Sequence, residues 1–483
     1  MAGPRRVVSA ILFSPRGGSS HATRALSAGL PAEGWAASLV AGSRGDAGPE
    51  QDAHAFYAGQ ENLTVVDFTA ALRAPDPMDP GPGVAPMHPS YEDRPGAPDR
   101  VFAALDDAAL ERQVRTWSDA LRMHEAAGAD VLHLHHLTPI HAAAARVAPR
   151  TPVVTQLHGT ELLMLEAIDG GRDWPYGAAW AERLRAWAHR SARLVVATPG
   201  GRGRAGRLLG VDPDRLAVVP NGVDADRFSP APADRAATWR RVLSDRPLGW
   251  VPGSGPGSWR ATPEAVAALR DDTVLLYVGR FTAVKRVPLL IEAFAAARRR
   301  LGGGVSLVIV GGHPGEWEGE HPAEAIARLG AEGVLLAGWH AQHELPALLR
   351  ASDVVVLPSI NESFGQVIVE GMACGLPAIA VDRGGPAEIL EDGQTGWLVP
   401  PDDAGGLAEA IIEAVTATPE RRRRGALARR DVLANYTWDA ATRALSDVLA
   451  EAAPQRRGEP VRSSPAPAAH RRPPRRDAPA PRR

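Results

Sequence analysis

Residues 352–370 read SDVVVLPSINESFGQVIVE, and the fold of the whole chain turns on them. Val354, Val355, Val356 and Leu357 make an apolar run of strand length that stops at Pro358 and Ser359. A polar loop of Ile360, Asn361, Glu362 and Ser363 follows, and an apolar-periodic helix opens at Phe364-Gly365. An apolar run bounded by turn signals and feeding a helix is the repeating unit of a parallel α/β sheet. The start of such a helix offers unpaired N–H groups and a positive dipole end, where phosphate is readily held. Gly365 carries no Cβ, so a phosphate can come close to the backbone there. Glu362 and Glu370 frame the spot. A carboxylate suits hydroxyls better than phosphate, so Glu370 is expected to grip a ribose and Glu362 to face a sugar, with diphosphate between. The plainer reading of the pair is two solvated acids at a helix start, where acids are common.

Composition narrows the function. A chain of 483 residues predicts two or three domains. Its net charge of −2 and ordinary apolar content call for no nucleic-acid or membrane partner. Cys374, the single cysteine, excludes an internal disulfide framework and a cysteine-built zinc site; in its apolar MACGLP setting it reads as a buried structural thiol. The N-terminal Arg5-Arg6 and the apolar run after it imitate a signal peptide, but the run is short and meets Ser14-Pro15. No later stretch is long enough to span a bilayer, so a soluble, cytoplasmic protein is expected. Among 54 basic residues only Lys285 is lysine. In a chain so biased to arginine, the position that keeps a compact ammonium is expected to need one. The sequence leaves room for a homodimer.

In order, residues 5–13 read as a first strand, and a helix begins near Ser20. Gly17-Gly18 between them is a place for phosphate or sugar to approach, although ordinary turns use such pairs too. Residues 63–68 form another strand. Residues 74–100 are too rich in proline for regular structure, and a loop of that length inside a domain is functional or disordered. Its His88, Tyr91, Glu92, Asp93 and Arg94 suggest a contact surface: an acceptor-covering loop contacting substrate through His88, Tyr91 and Arg94, or a plain insertion. Residues 105–126 are helical in pattern and 130–135 a strand. The strand 151–157 ends at His158-Gly159, where open α/β sheets hold ligands. His133, His135, His136 and His141 lack metal-site spacing and read as packing and surface residues. Asp212/Asp214 and Asp224/Asp226 lie in turn-like sequence, and no metal is assigned.

Further along, 193–198 and 216–219 are strands, the latter leading to Pro220-Asn221-Gly222-Val223-Asp224. Residues 229–270 are longer than a simple linker, with a helical piece near Thr238 and no evident role. The strand 273–278 runs into Gly279-Arg280-Phe281, with Lys285 five residues after the arginine. A guanidinium fork and a point-charge ammonium there can neutralise a leaving diphosphate. Strands follow at 305–310, 334–338 and 378–381, and a last helix spans roughly 436–452.

Glu362, Phe364, Gly365 and Glu370 together resemble the E-x-F-G-x-x-x-x-E signature of the retaining family 4 glycosyltransferases. Arg280 and Lys285 resemble that family's G-R-x-x-x-x-K pair, His158-Gly159-Thr160 its His-Gly-Thr element, and residues 220–224 its PNGVD element. The resemblance covers nearly all of residues 1–452. It implies the α/β GT-B fold, two Rossmann-like domains whose parallel sheets face across a cleft. The expected division is 1–225 for acceptor, 226–272 as hinge and insertion, 273–435 for the nucleotide sugar, 436–452 crossing back, and a disordered tail at 453–483. The implied reaction is metal-independent transfer from a nucleoside diphosphate sugar, UDP ahead of GDP, to a small-molecule acceptor, with no cofactor. His158, Arg280, Lys285 and Glu362 would be catalytic. Gly17, Gly18, Gly338, Ser363, Phe364, Gly365 and Glu370 would join Arg280, Lys285 and Glu362 in binding the donor. Where the family has glycine after the lysine, this chain has Arg286, which puts the loop's shape in question. A UDP-sugar epimerase and a non-catalytic nucleotide-binding scaffold are the rival readings.

Overall fold

A computed structural model describes residues 3–15, 17–46, 48, 52–93 and 98–455. Among these residues the strands form two sheets, one of seven and one of six. The first contains β1 (Arg5–Ile11), β2 (Trp35–Ser43), β3 (Leu63–Asp67), β4 (Val131–His135), β5 (Val153–Gln156), β6 (Arg193–Val196) and β7 (Leu216–Val218). Its order is β3-β2-β1-β4-β5-β6-β7, with every neighbouring pair parallel. The second contains β8 (Thr273–Gly279), β9 (Val305–Gly311), β10 (Val334–Gly338), β11 (Val354–Leu357), β12 (Ala378–Val381) and β13 (Gly396–Val399). Its order is β10-β9-β8-β11-β12-β13, again all parallel. Both sheets are buried on both faces by helices, which is why their strands read as continuous apolar runs rather than alternating ones.

Each sheet reverses its strand order once, between β1 and β4 in the first and between β8 and β11 in the second. Such a reversal opens a crevice beyond the carboxyl ends of the strands. The two doubly wound sheets are those expected from sequence, with small shifts at their edges. β1 stops at Ile11 rather than 13, the first helix starts at Gly18 rather than Ser20, and the helix expected over 105–126 is Asp107–Met123.

The chain passes between the lobes twice, and the passages pair: Val223 bridges Thr437, with Val223 N–H donating to the Tyr436 carbonyl at 2.8 Å. Helix Trp438–Ala452 then packs on the first sheet through Leu445, Val448 and Leu449, and Trp35 Nε1 donates to Ser446 Oγ at 2.9 Å. The stretch 229–270 is built into the second lobe's core. Trp239 and Trp250 are buried there, their indole N–H groups donating to the Ala351 and Gly312 carbonyls at 3.2 and 2.9 Å. Among the described residues no helix is long and apolar enough to cross a membrane.

Candidate functional site

The second lobe supplies most of the crevice's charge. Arg280 follows β8, and its carbonyl is fixed by a hydrogen bond from the Tyr277 hydroxyl at 2.8 Å. A single helical turn, Ala283–Lys285, then brings Lys285 Nζ onto the Glu362 carboxylate. The two loops are laced together: Ile360 N–H and Ser359 Oγ both donate to the Val284 carbonyl, at 3.0 and 3.3 Å. The lysine side chain is 16% exposed and the glutamate 20%, so the pair faces the crevice from a half-sheltered position.

Arg286 answers the question its place in the loop raised. It takes the left-handed conformation (φ 54°) usually left to glycine, and its Nε reaches Asp402 at 2.6 Å. The loop keeps its turn, and the Arg286 side chain lies tethered to Asp402 on the surface.

Gly365 caps helix Gln366–Ala373 with φ 103° and no side-chain cap; Ile368 N–H donates back to the Gly365 carbonyl at 2.9 Å, leaving the N–H groups ahead of it for an outside acceptor. Phe364 is buried beneath. Glu370, one turn in, is 3% exposed, and Gln342 Nε2 donates to it at 3.2 Å. Burial pushes its carboxyl up to about 7, against partial relief from Gln342, Arg227 and Gln366. It is not a solvated acid. Gly384 and Gly385, which follow the strand 378–381, were given no role by the sequence. Gly385 N–H donates to the Glu362 carbonyl at 2.9 Å, and a Cβ on Gly384 would lie 2.7 Å from that same oxygen.

Across the crevice, Gly17 (φ 93°) caps helix Gly18–Gly29, and a Cβ on Gly17 or Gly18 would meet no atom within 4 Å. His158, partly exposed, stands at the end of β5 with Nε2 3.0 Å from His135 Nδ1. Burial, then the neighbouring His136 and His133, holds it well below the ordinary imidazole range and therefore neutral. Gly159 faces Ser363 of the other lobe so closely that a Cβ would overlap its side chain.

The histidines between 133 and 141 are not surface residues. His133, His135, His136 and His141 are all buried, because β4 is an inner strand and the residues after it lie under the loop 74–93. Glu161, fully buried, organises them: it accepts from His136 Nδ1 at 3.1 Å and from His158 N–H at 2.9 Å. Burial alone would raise its carboxyl; His136 outweighs that and lowers it. Among the described residues no group of His, Cys, Asp or Glu is arranged to hold a metal ion.

Two expected contacts fall elsewhere, and a third residue is not described. Tyr91 is buried and donates its hydroxyl to the Leu137 carbonyl at 2.7 Å, anchoring the loop from beneath instead of facing an acceptor. Gly338 has φ 74°, and the Leu248 backbone occupies the place of its Cβ, so this glycine is explained by the packed 229–270 stretch. Arg94 lies outside the described residues. His88 stacks on Phe13, centroids 5.2 Å apart, beside the Gly17-Gly18 loop. Its neighbour in the chain, Glu92, crosses the crevice to Arg280, with Oε2 and Oε1 at 2.6 and 3.0 Å from the two terminal nitrogens.

Known proteins share this plan. Residues 16–227 match the family model described as Glycosyltransferase Family 4, and residues 261–431 the model described as glycosyl transferases group 1. A D-inositol 3-phosphate glycosyltransferase of Xylanimonas cellulosilytica is 31% identical over 399 residues, which are 80% of this chain and 87% of that protein. One from Streptomyces coelicolor is 29% identical over 404 residues, 81% and 83% of the two chains. Among solved structures, Anabaena HepE in complex with UDP and glucose superposes with a TM-score of 0.65 at 17% identity, over 92% of this chain and 99% of that one. Sucrose-phosphate synthase from Thermosynechococcus elongatus gives 0.64 at 20% identity, over 92% and 98%. At these identities the superpositions speak to the fold.

Proposed function

The chain belongs to glycosyltransferase family 4, and from that premise we propose that it transfers a sugar from a nucleoside diphosphate sugar to a small-molecule acceptor. The observation that carries this reading is the convergence of Arg280, Lys285, Glu362, Glu370 and the helix start at Gly365 on one crevice wall, opposite His158. Glu370 would take the ribose hydroxyls, and Gly365 would admit the diphosphate to the helix N-terminus. Glu362 would face the transferred sugar. UDP is the nucleotide to try first, since HepE is a structure with UDP bound. A phosphorylated cyclitol is the first acceptor to try, given the names of the relatives.

As the glycosidic bond opens, negative charge grows on the departing diphosphate. Arg280, Lys285 and the first-turn N–H groups meet it already oriented, and such preorganised electrostatics is often the largest catalytic term. The acceptor attacks from the face the diphosphate leaves, and the leaving oxygen takes its proton, so configuration is retained. The charge is carried by protein cations and backbone dipoles, so this reading needs no metal ion. Lys285→Ala should lower turnover by about 10²-fold or more, the scale of one lost transition-state donor. Unchanged turnover by Lys285→Ala with UDP-sugar and acceptor would refute the role.

A further inference from the structure

The reaction as described gives Glu92 no task, yet the backbone that carries it is firmly placed. Its corner of the loop is pinned on both sides. Tyr91 is locked by its buried hydroxyl, and Ser90 Oγ donates to the Glu92 carbonyl at 2.6 Å. Ser90 in turn bridges Val101, with N–H bonds to and from that strand-like segment at 2.9 and 2.8 Å. From this stub the carboxylate spans the crevice and takes both terminal nitrogens of Arg280 in a fork-to-fork pair. A carboxylate and a phosphate offer a guanidinium the same pair of oxygens. Glu92 therefore holds the face of Arg280 that a donor diphosphate would need.

Resting on the function proposed above, we infer that Glu92 is a positioning residue that competes with the donor diphosphate for Arg280. The donor takes Arg280 from it. The 90–93 corner stays pinned to its own lobe by Tyr91 and Ser90, so what the donor releases is the Glu92 carboxylate, on the acceptor side of the crevice. Arg280 is 52% exposed and Glu92 33%, so the pair is screened by solvent and its loss is a modest effect. Removing such a pair should tighten donor binding by about two- to five-fold.

The test is calorimetric titration of UDP into the full-length wild type, Glu92→Gln and Glu92→Ala, with hydrogen exchange over residues 86–93 followed alongside. Both variants should bind UDP two- to five-fold more tightly, with exchange at 86–93 little changed because the corner stays pinned to its own lobe. A Glu92 that merely braced the loop would give faster exchange in the variants without tighter binding. Equal or weaker UDP binding by both variants overturns the inference and leaves the proposed function standing. Failure of UDP to bind any of the three proteins removes the nucleotide reading and this inference with it.

Discussion

Replacing Glu370 by glutamine should stabilise the ligand-free protein, and the gain should grow as pH rises. The carboxyl is 3% exposed, and burial moves its pKa from the ordinary 4.5 to about 7. The folded protein thus holds this proton more tightly than the unfolded chain. Between pH 4.5 and 7 the native state binds more protons, so its stability falls as pH rises through that window. The penalty is absent below the lower value and complete above the upper one. A displacement from 4.5 to about 7 corresponds to ~3 kcal/mol at pH 8, at ~1.4 kcal/mol per tenfold change. Glutamine keeps an oxygen for the Gln342 amide and carries no charge, so most of that penalty should disappear. For a lobe of this size the gain is roughly 6–12 °C in melting temperature at pH 8, and little at pH 4.5. The assay is thermal melting of wild type and Glu370→Gln, without nucleotide, at pH 4.5, 6 and 8. UDP should also protect the wild type more at pH 8 than at pH 5, because ribose hydroxyls donate to the ionised form. Parallel pH profiles for the two proteins would show that the buried carboxylate is not the source of the penalty.

Three further outcomes follow from the geometry. Gly159→Ala should cost activity, since Gly159 has φ 97° and a Cβ there overlaps Ser363 of the other lobe; adding Ser363→Gly should restore the part due to overlap, and a turnover cycle showing no coupling would deny the contact. Arg286→Gly relieves a left-handed residue by about 1 kcal/mol and forfeits a surface pair of about 0–1 kcal/mol, so melting should hold or rise slightly. A steep fall would mean that the Asp402 pair is what holds the loop. Glu161→Leu strips a buried acceptor from His136 and from the His158 N–H, and should lower stability by roughly 3–5 kcal/mol; an unmoved urea midpoint would contradict that.

What could be read from the string, and what could not, divides along a physical line. Strands buried on both faces announce themselves as apolar runs, and the residues just past their ends lie at the crevice whatever the tertiary detail. Arg280, Lys285, His158 and Glu362 were therefore legible as candidates from position together with the family resemblance, and Glu370, inside the following helix, from its spacing after Glu362. Their partners were not. Glu92 lies 188 residues from Arg280 and Gln342 lies 28 from Glu370, and nothing local in either stretch records the pairing. Glu161 looked like one more acid in a helix's first turn; only the parallel pairing of β4 with β5 puts it beneath two histidines. Residues 229–270 did carry a usable signal, since a surface linker has little reason to hold Trp239, Trp250 and Trp259. The same line has a consequence for the chemistry. The two cations assigned to the diphosphate are each met by a carboxylate from elsewhere in the chain, Lys285 by Glu362 and Arg280 by Glu92. A leaving diphosphate must compete for both, and of the two acids only Glu92 comes from the lobe that does not carry the cations. Charge exchange at Arg280 therefore links the two lobes, whereas exchange at Lys285 stays within one. Substitutions at the first pair should alter how the substrates influence each other's binding, and substitutions at the second should alter the transfer step itself.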